Sequence, residues 1–206
     1  MIAVIDYEAG NLRSVERAFT HLGVECRITA DAEEILRADR VVFPGVGAAG
    51  TAMKVLRKHG LDRVIREVAA RGTPLLGICL GAQVMLDESD EDGGTACLGL
   101  IPGRTRRFDF SDKTFKIPHM GWNNIVCKRS HPVLAGINDN DRFYFVHSYY
   151  LDPANNDDRI AETDYGASFV SVTGRGSLLA VQFHPEKSGP PGLRLLAKFS
   201  SWKGDS

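Results

Sequence analysis

Short apolar runs alternate with helical patterns along the first eighty residues. The apolar runs have the length and composition of buried strands, and between them apolar residues recur three or four positions apart, as in amphipathic helices. Such alternation predicts a parallel sheet joined by right-handed crossovers. The strands are predicted at residues 2–5, 24–28, 40–43 and 73–78, and the helices at residues 12–22, 32–36, 48–58 and 61–70.

The ends of these helices carry typical capping residues. Asn11 and Asp31 precede the first two helices, where a short polar side chain can accept a hydrogen bond from the first turn. Gly23 follows the first helix and predicts its end.

The pattern changes after residue 86. Residues 87–94 are acidic and rich in glycine, which predicts an exposed loop. The runs that follow are short and strand-like, and they could extend the sheet with antiparallel strands. Further strands are predicted within residues 98–126 and at 141–146, 159–163, 167–172 and 177–183, before a closing helix at 193–202.

These patterns together predict the fold class. We expect a three-layer α/β structure with a mainly parallel, flavodoxin-like sheet that antiparallel strands extend. A chain of 206 residues with 43% hydrophobic residues can bury a full core, and residues 1–206 are expected to form one domain.

Charge and cysteine content narrow the possible functions. The formal net charge is -1, and the sequence has no stripe of basic residues that would predict nucleic-acid binding. No apolar run is long enough to predict a membrane span, and residues 1–6 have the pattern of a core strand, not of a signal peptide. Cys26, Cys79, Cys97 and Cys127 are scattered without a CxxC pair, so we expect no zinc site, no disulfide framework and a cytoplasmic protein. Nothing in the sequence calls for a metal or an organic cofactor.

Cys79 has the surroundings of a nucleophile. It follows the fourth predicted strand and precedes a helical stretch predicted at residues 82–86, and Gly77 and Gly81 flank it at two residues on each side. This is the nucleophile-elbow pattern with sulfur in place of oxygen, in which neighbours with side chains would collide. The start of a helix favours a thiolate. The alternative is a buried structural cysteine, since cysteine often serves as a small hydrophobic residue.

A candidate base lies far along the chain, at the end of the last predicted strand. His184 is followed by Pro185 and Glu186. The rigid turn can bring the carboxylate to the far imidazole nitrogen, which is the arrangement of a catalytic triad. By itself this pattern is weak, because it is also typical of a surface turn. Combined with the cysteine elbow it predicts a Cys79–His184–Glu186 triad.

Three motifs resemble those of one enzyme family in order and spacing. They are Pro-Gly-Val-Gly at 44–47, Gly-Ile-Cys-Leu-Gly-Ala-Gln at 77–83 and Gln-Phe-His-Pro-Glu-Lys-Ser at 182–188, and they resemble the triad-type class I glutamine amidotransferases. The resemblance implies hydrolysis of glutamine to glutamate and ammonia through a cysteinyl thioester. Ala82 is a departure, since a methionine is more usual there. We expect this change to have little effect.

The resemblance also assigns the groups around the thioester. The backbone N–H of Leu80 and one from Val46 or Gly47 would form the oxyanion hole. Gln83, His147, Ser148 and Tyr149 would surround the substrate glutamine. From the residues alone, Gln83 could equally face solvent, and residues 147–149 could simply be a strand end that supports the pocket.

Two further stretches narrow the resemblance within the family. Pro-His-Met-Gly-Trp-Asn at 118–123 and Tyr-Phe-Val-His-Ser-Tyr at 144–149 resemble the glutaminase subunits of imidazole glycerol phosphate synthases, in histidine biosynthesis. The resemblance implies a heterodimer with a (β/α)8-barrel cyclase that uses the ammonia to make imidazole glycerol phosphate and an aminoimidazole carboxamide ribonucleotide. The residues expected at the interface or the ammonia passage are Asn11, Trp122, Asn123, Tyr144 and Lys187. As an alternative, Trp122 could be a core aromatic. Asn11 is also a helix cap, and that role is compatible with a place at the interface.

Other functions stay open at this stage. The chain could serve another synthase, or act as a free-standing γ-glutamyl hydrolase or a cysteine peptidase. It could also be a non-catalytic, amidotransferase-like binding protein, although it retains all three triad candidates.

Overall fold

The computed structural model describes residues 1–112 and 114–204. In this part of the chain the helices are α1 Leu12–His21, α2 Ala32–Arg37, α3 Ala49–Lys58, α4 Leu61–Ala70, α5 Leu80–Val84 and α6 Gly189–Ser201. The first seven strands are β1 Ile2–Ile5, β2 Cys26–Thr29, β3 Arg40–Gly45, β4 Leu75–Cys79, β5 Glu88–Ser89, β6 Thr95–Ala96 and β7 Gly103–Arg107. The others are β8 His119–Asn124, β9 Val126–Cys127, β10 Arg142–His147, β11 Tyr149–Pro153, β12 Arg159–Asp164, β13 Ser168–Arg175 and β14 Leu178–Val181.

One large sheet organises the fold. Strands β2, β1, β3, β4 and β14 lie side by side and are parallel, as the sequence predicts. From β14 onward the sheet continues through β13, β11 and β7, and these neighbours are antiparallel. Strands β8 and β10 pair with each other in a separate antiparallel sheet. The predicted α/β class with an antiparallel extension is confirmed.

The parallel strands are buried on both faces, which makes three layers. In β1 the side chains of Ile2 and Val4 join the core that α1 and α6 cover. The alternate residues Ala3 and Ile5 join the core under α2, α3 and α4. Because successive side chains of a strand point to opposite faces, a continuous apolar run fills both cores.

The cap of α1 differs from the prediction. Asn11 occupies the N-cap position, but it has a left-handed backbone with φ 76, and its side chain makes no hydrogen bond to the helix. Asp31 behaves as predicted, since its side chain accepts a hydrogen bond from the backbone N–H of Glu34. The Asn11 side chain is therefore available for another contact.

Several predicted boundaries also move. The second strand begins at Cys26, and α5 begins at Leu80, directly after the cysteine. Helix α6 begins at Gly189, because Pro190 and Pro191 occupy its first turn, where a missing N–H costs nothing. Strand β11 was not predicted, and the acidic stretch contains the short strand β5, in which Ser89 is buried. Within the described residues, no helix has both the length and the apolar character needed to cross a membrane.

Candidate active site

The backbone at Cys79 is strained. Cys79 ends β4 and adopts φ 53 and ψ −109, a conformation that costs a side-chain-bearing residue on the order of 1–3 kcal/mol. A Cβ on Gly81 would lie 1.8 Å from the Phe43 carbonyl oxygen, and one on Gly77 would lie 2.9 Å from the Cα of Ala82. The flanking glycines are thus required by close backbone approach, which is the steric reason that the elbow pattern predicts.

His184 and Glu186 form a buried pair just after β14. The imidazole Nδ1 lies 2.7 Å from Glu186 Oε1, and the two side chains are 1% and 0% exposed. The backbone of the turn is held as well, since the His184 N–H donates to the Tyr144 carbonyl at 2.9 Å. The Ser188 hydroxyl donates to the His184 carbonyl at 2.6 Å. The imidazole is therefore fixed in orientation from both ends of the turn.

The surroundings of His184 favour its protonated form. Burial lowers the pKa of this imidazole, but hydrogen bonds and negative charge at Cys79 and Glu186 outweigh burial and raise the pKa from 6.5 to about 10. The Nε2 atom makes no hydrogen bond of normal geometry, although Cys79 is close enough to shift the pKa.

Asn11 contacts the same carboxylate. Its Nδ2 donates to Glu186 Oε1 at 2.5 Å, and this oxygen also accepts from His184. The left-handed backbone of Asn11 directs the side chain away from its own helix and toward Glu186. Asn11 was predicted at the partner interface or the ammonia passage, and the structure places it directly behind the candidate triad.

A cavity of about 320 Å³ opens beside Cys79. It brings together every residue predicted for catalysis, the oxyanion hole and the substrate, except Glu186, which lies behind His184. On the oxyanion side, Leu80 meets Val46 and Gly47. Gly47 has φ 99, a region that favours glycine. The residues around this cavity come from the turn after β3, from β4 and α5, from the β10–β11 junction and from the turn after β14, which meet only in the folded chain.

Glu91 also lines this cavity, and sequence reasoning missed it. Its Oε2 accepts a hydrogen bond from the backbone N–H of Ala49 at 2.6 Å, which fixes the carboxylate at the pocket wall. The residue lies in an acidic stretch predicted to be an exposed loop, where nothing in the sequence distinguishes it from its acidic neighbours. An anionic group here gives the cavity a partner for a positively charged ligand group.

Gln83 is buried at the base of the cavity. Its Nε2 donates to the Tyr149 carbonyl at 3.1 Å and to Gln182 Oε1 at 3.3 Å. Both N–H bonds of this amide are thereby used within the protein, which leaves Oε1 as the atom that can meet a ligand. The side chain is 5% exposed, so the solvent-facing alternative for Gln83 is wrong.

His147 and His119 form a second imidazole pair. His147 Nδ1 lies 2.7 Å from the Tyr149 carbonyl, and its Nε2 lies 2.9 Å from His119 Nδ1. A carbonyl can only accept, so Nδ1 of His147 carries the proton, and Nε2 then accepts from His119. Burial lowers the pKa of His119 to about 4 and that of His147 to about 3. The pair is therefore neutral at pH 7 and supports the carbonyl of Tyr149.

The hydrogen bonds that link His119, His147 and the Tyr149 carbonyl predict how substitutions of His119 change KM for glutamine. His119→Leu removes the donor to His147, and we expect KM for glutamine to rise about five-fold with little change in kcat, since one neutral hydrogen bond is worth about 1 kcal/mol. His119→Asn places an amide N–H near the position of Nδ1 and should restore KM. Steady-state glutaminase kinetics check this, with thermal unfolding as a control for packing. Equal KM values for the two variants would contradict it.

Most of the predicted interface residues gather around the turn that carries His184 and Glu186. Trp122, on β8, is 51% exposed and packs edge-on against Tyr144 at 5.9 Å between ring centroids, so the core-aromatic alternative is wrong. The Lys187 ammonium lies 6.0 Å from the centre of the Tyr144 ring. Met120, also on β8 and not predicted, is 62% exposed. Asn123 differs, because its Nδ2 donates to the Asp164 carbonyl at 2.9 Å and lies 3.4 Å from His119 Nε2.

Comparison with known proteins agrees with this fold. The family model "Glutamine amidotransferase class-I" matches residues 3–201. The imidazole glycerol phosphate synthase subunit HisH of Nitratidesulfovibrio vulgaris is 53% identical over 204 residues, which cover 97% of this chain and 95% of the relative. The HisH subunit of Nitrosococcus oceani is 50% identical over 207 residues, covering 100% and 99% of the two chains.

Solved structures show the same fold. A crystal structure of a glutamine amidotransferase matches with a TM-score of 0.73 at 20% identity, over 97% of this chain and 99% of that one. The chain belongs to the class I glutamine amidotransferase family. Its relatives at about 50% identity over nearly their full length place it in that family's HisH group.

Proposed function

We propose that the chain hydrolyses the side-chain amide of glutamine and passes the ammonia to the cyclase partner of an imidazole glycerol phosphate synthase, in histidine biosynthesis. The observation that carries the chemistry is the buried His184–Glu186 pair, 2.7 Å apart, beside a strained Cys79 that opens on a cavity. The names of the HisH relatives support the pathway.

The reaction proceeds through a thioester. Cys79 gives its proton to His184, and the sulfur attacks the amide carbonyl of glutamine. The resulting oxyanion is held by the Leu80 N–H and by an N–H of Val46 or Gly47, where one such donor is typically worth about 3 kcal/mol. His184 then protonates the leaving ammonia, takes a proton from water and directs hydroxide to the thioester, which releases glutamate. Glu186 keeps the imidazole oriented throughout.

The cavity offers complementary groups for the rest of the substrate. The glutamine α-ammonium is a cation, and the Glu91 carboxylate and the Gln83 Oε1 atom are acceptors on the same wall. We assign the α-carboxylate to the backbone at Ser148 and Tyr149. His147 contributes indirectly, because it holds the Tyr149 carbonyl in place.

Release of ammonia into water would protonate it and remove its nucleophilicity. A partner docked over the cavity prevents this loss, and we propose a (β/α)8-barrel cyclase that forms imidazole glycerol phosphate and an aminoimidazole carboxamide ribonucleotide. The exposed side chains of Trp122 and Met120 support a docking face here, since large apolar groups at a surface favour burial by a partner. Tyr144 packs against Trp122 and accepts from the His184 N–H, and Lys187 follows Glu186 in the chain. We propose Tyr144 and Lys187 at the interface as well, and Asn11 and Asn123 at its edge or along the ammonia passage.

Trp122→Ala provides a test of that face. We expect the dissociation constant of the heterodimer to rise about 30-fold, because a central tryptophan in an interface is often worth about 2 kcal/mol. Val126→Ala, at another exposed apolar residue, serves as the control and should leave binding unchanged. Isothermal titration calorimetry measures the affinity of both variants for the partner. If Trp122→Ala binds as tightly as the unaltered chain, Trp122 is not part of the interface.

The proposed function itself is tested with the purified partner. The two proteins, the cyclase ribonucleotide and glutamine should together yield imidazole glycerol phosphate. A free-standing hydrolase would release ammonia without that product, and a subunit of another synthase would fail to bind this cyclase. A non-catalytic binding protein would show no turnover and no labelling of Cys79 by a glutamine-analogue electrophile.

Two broader proposals accompany this function. We propose that residues 1–206 form a single amidotransferase domain, which the continuous sheet from β2 to β6 supports. We also propose a cytoplasmic location, supported by the four free thiols.

A further inference from the structure

Gln182 lies two residues before His184 and has no part in the mechanism above. Its side chain is completely buried beneath the catalytic cysteine. Its backbone N–H donates to the Ser171 carbonyl at 2.9 Å, which ties the position to the neighbouring strand β13. The side-chain amide faces two groups of the site, Gln83 and the Cys79 sulfur.

The hydrogen-bond network fixes which end of this amide faces the sulfur. The Tyr149 carbonyl can only accept, so it identifies the Gln83 nitrogen. The second N–H of Gln83 is directed at Gln182, which must accept it with Oε1. Gln182 Nε2 is then the atom 3.9 Å from Cys79 Sγ. The reversed amide would place two donors against each other and an oxygen against the sulfur.

We propose that Gln182 is a catalytic residue whose side-chain N–H stabilises the Cys79 thiolate. This inference rests on the proposed role of Cys79 as the nucleophile. The contact is long for the thiol, and negative charge on the sulfur would strengthen it, because hydrogen bonds to ions are shorter and about twice as strong as neutral ones. Gln83 and the Tyr149 carbonyl act as positioning groups that hold the donor toward the sulfur.

A second contact of the sulfur opposes this effect. Cys79 Sγ also lies 3.9 Å from the Val146 carbonyl, to which the thiol can donate. A carbonyl oxygen favours the protonated sulfur, whereas the Gln182 N–H favours the ionised one. When Cys79 loses its proton, the S–H bond breaks and an N–H bond forms at His184 Nε2, the nitrogen without a hydrogen bond. Gln182 then supplies the donor that the thiolate needs, and no bond within Gln182 changes.

Alkylation of Cys79 as a function of pH tests this role. Iodoacetamide reacts with the thiolate, and peptide mass spectrometry separates Cys79 from the other three cysteines of the full-length chain. In Gln182→Met the side chain keeps its length and loses the donor. We expect the pH of half-maximal labelling to rise by about one unit, the size of one hydrogen bond to a charged group. Labelling at pH 7 should slow several-fold.

Gln182→Glu separates a catalytic role from a structural one. Its carboxylate can still accept from Gln83, so the base of the pocket keeps that bond, but it presents an anionic oxygen to the sulfur. At pH 9 we expect labelling slower than in Gln182→Met. The control is Ser171→Ala, a buried neighbour on β13 whose hydroxyl donates to the Ala161 carbonyl at 3.4 Å. It should leave the labelling curve unchanged, and thermal unfolding of all variants monitors the fold.

The outcomes distinguish this inference from the proposed function. If Cys79 of the unaltered chain labels with a glutamine-analogue electrophile and Gln182→Met gives the same iodoacetamide curve as the unaltered chain, the role of Gln182 is refuted. If Cys79 of the unaltered chain neither labels with that electrophile nor turns over glutamine in the complex, the proposed function fails instead. A raised midpoint in Gln182→Met with an unchanged Ser171→Ala curve supports the inference.

Discussion

Cys79→Ala is expected to reduce glutamine hydrolysis about 10⁴-fold or more. Without the sulfur no thioester forms, and loss of the nucleophile in related triads costs about as much as loss of the whole triad. The measurement is glutamate release by the heterodimer at saturating glutamine. Alanine also relieves no strain, because φ 53 disfavours every side-chain-bearing residue, so the fold should change little.

Added ammonium salt provides the control for this prediction. Ammonia from solution bypasses Cys79, so the complex with Cys79→Ala should still form imidazole glycerol phosphate at high pH. Loss of this ammonia-dependent reaction would show that the substitution damages the complex and not only the nucleophile. Retention of glutamine-dependent turnover would contradict the thioester mechanism.

Glu186→Gln is expected to lower kcat about 10³-fold. The neutral amide no longer stabilises the imidazolium, and losses of about 10⁴-fold accompany the equivalent change in a serine triad. Oε1 of Glu186 accepts from both His184 and Asn11, and a carboxylate satisfies two donors better than a single amide oxygen does. Steady-state glutaminase kinetics of the complex measure the effect.

The same substitution should alter the pH dependence of stability. The pKa of His184 is raised to about 10 from 6.5, so the folded chain binds this proton more tightly than the unfolded chain. The stabilisation is complete below pH 6.5 and is lost as pH rises through 10. Glu186→Gln removes a hydrogen bond and a negative charge, which lowers the pKa of His184, and the free energy of unfolding should then depend less on pH between 6.5 and 10.

The chain offers a matched control for the histidine–carboxylate pair. Glu8 and His59 form an exposed pair, 3.2 Å apart. Glu8→Gln should change kcat less than two-fold and stability by less than about 1 kcal/mol, because solvent screens an exposed pair. Urea unfolding from pH 6 to 10 compares the variants. An unchanged pH slope in Glu186→Gln would show that Glu186 does not determine the charge of His184.

Local sequence patterns were sufficient for the parallel strands, for the helices between them and for the cysteine turn, but not for β5 and β11. Apolar runs and helical periodicity arise from the geometry of each segment. The glycines around Cys79 follow a known local pattern, although the close neighbour that requires Gly81 is the Phe43 carbonyl on β3. The resemblance of the motifs to those of class I glutamine amidotransferases then predicted that Cys79 and His184, which lie more than a hundred residues apart, share one site. The turn at His184 was also predicted from local sequence, because Pro185 stiffens it.

Contacts between distant segments could not be read from local patterns. Glu91 is one acid among several in its stretch, and only the approach of that loop to α3 makes it part of the cavity wall. Asn11 has the sequence of an ordinary cap, yet its side chain turns to a carboxylate 175 positions away. Asn11 does occupy the predicted N-cap position, but its side chain bonds Glu186 instead of the first turn of the helix.

The environment of Cys79 therefore depends partly on local sequence and partly on tertiary structure. The sequence determined that a cysteine stands at a strand end between two glycines, and it predicted a histidine with a carboxylate as the base for that cysteine. The tertiary structure decided which polar groups contact the sulfur, such as the Gln182 amide, and which support the pocket wall, such as the His119–His147 pair. The physical reason is that hydrogen-bond direction depends on which strands are neighbours, and the order of strands in the sheet is a property of the whole chain.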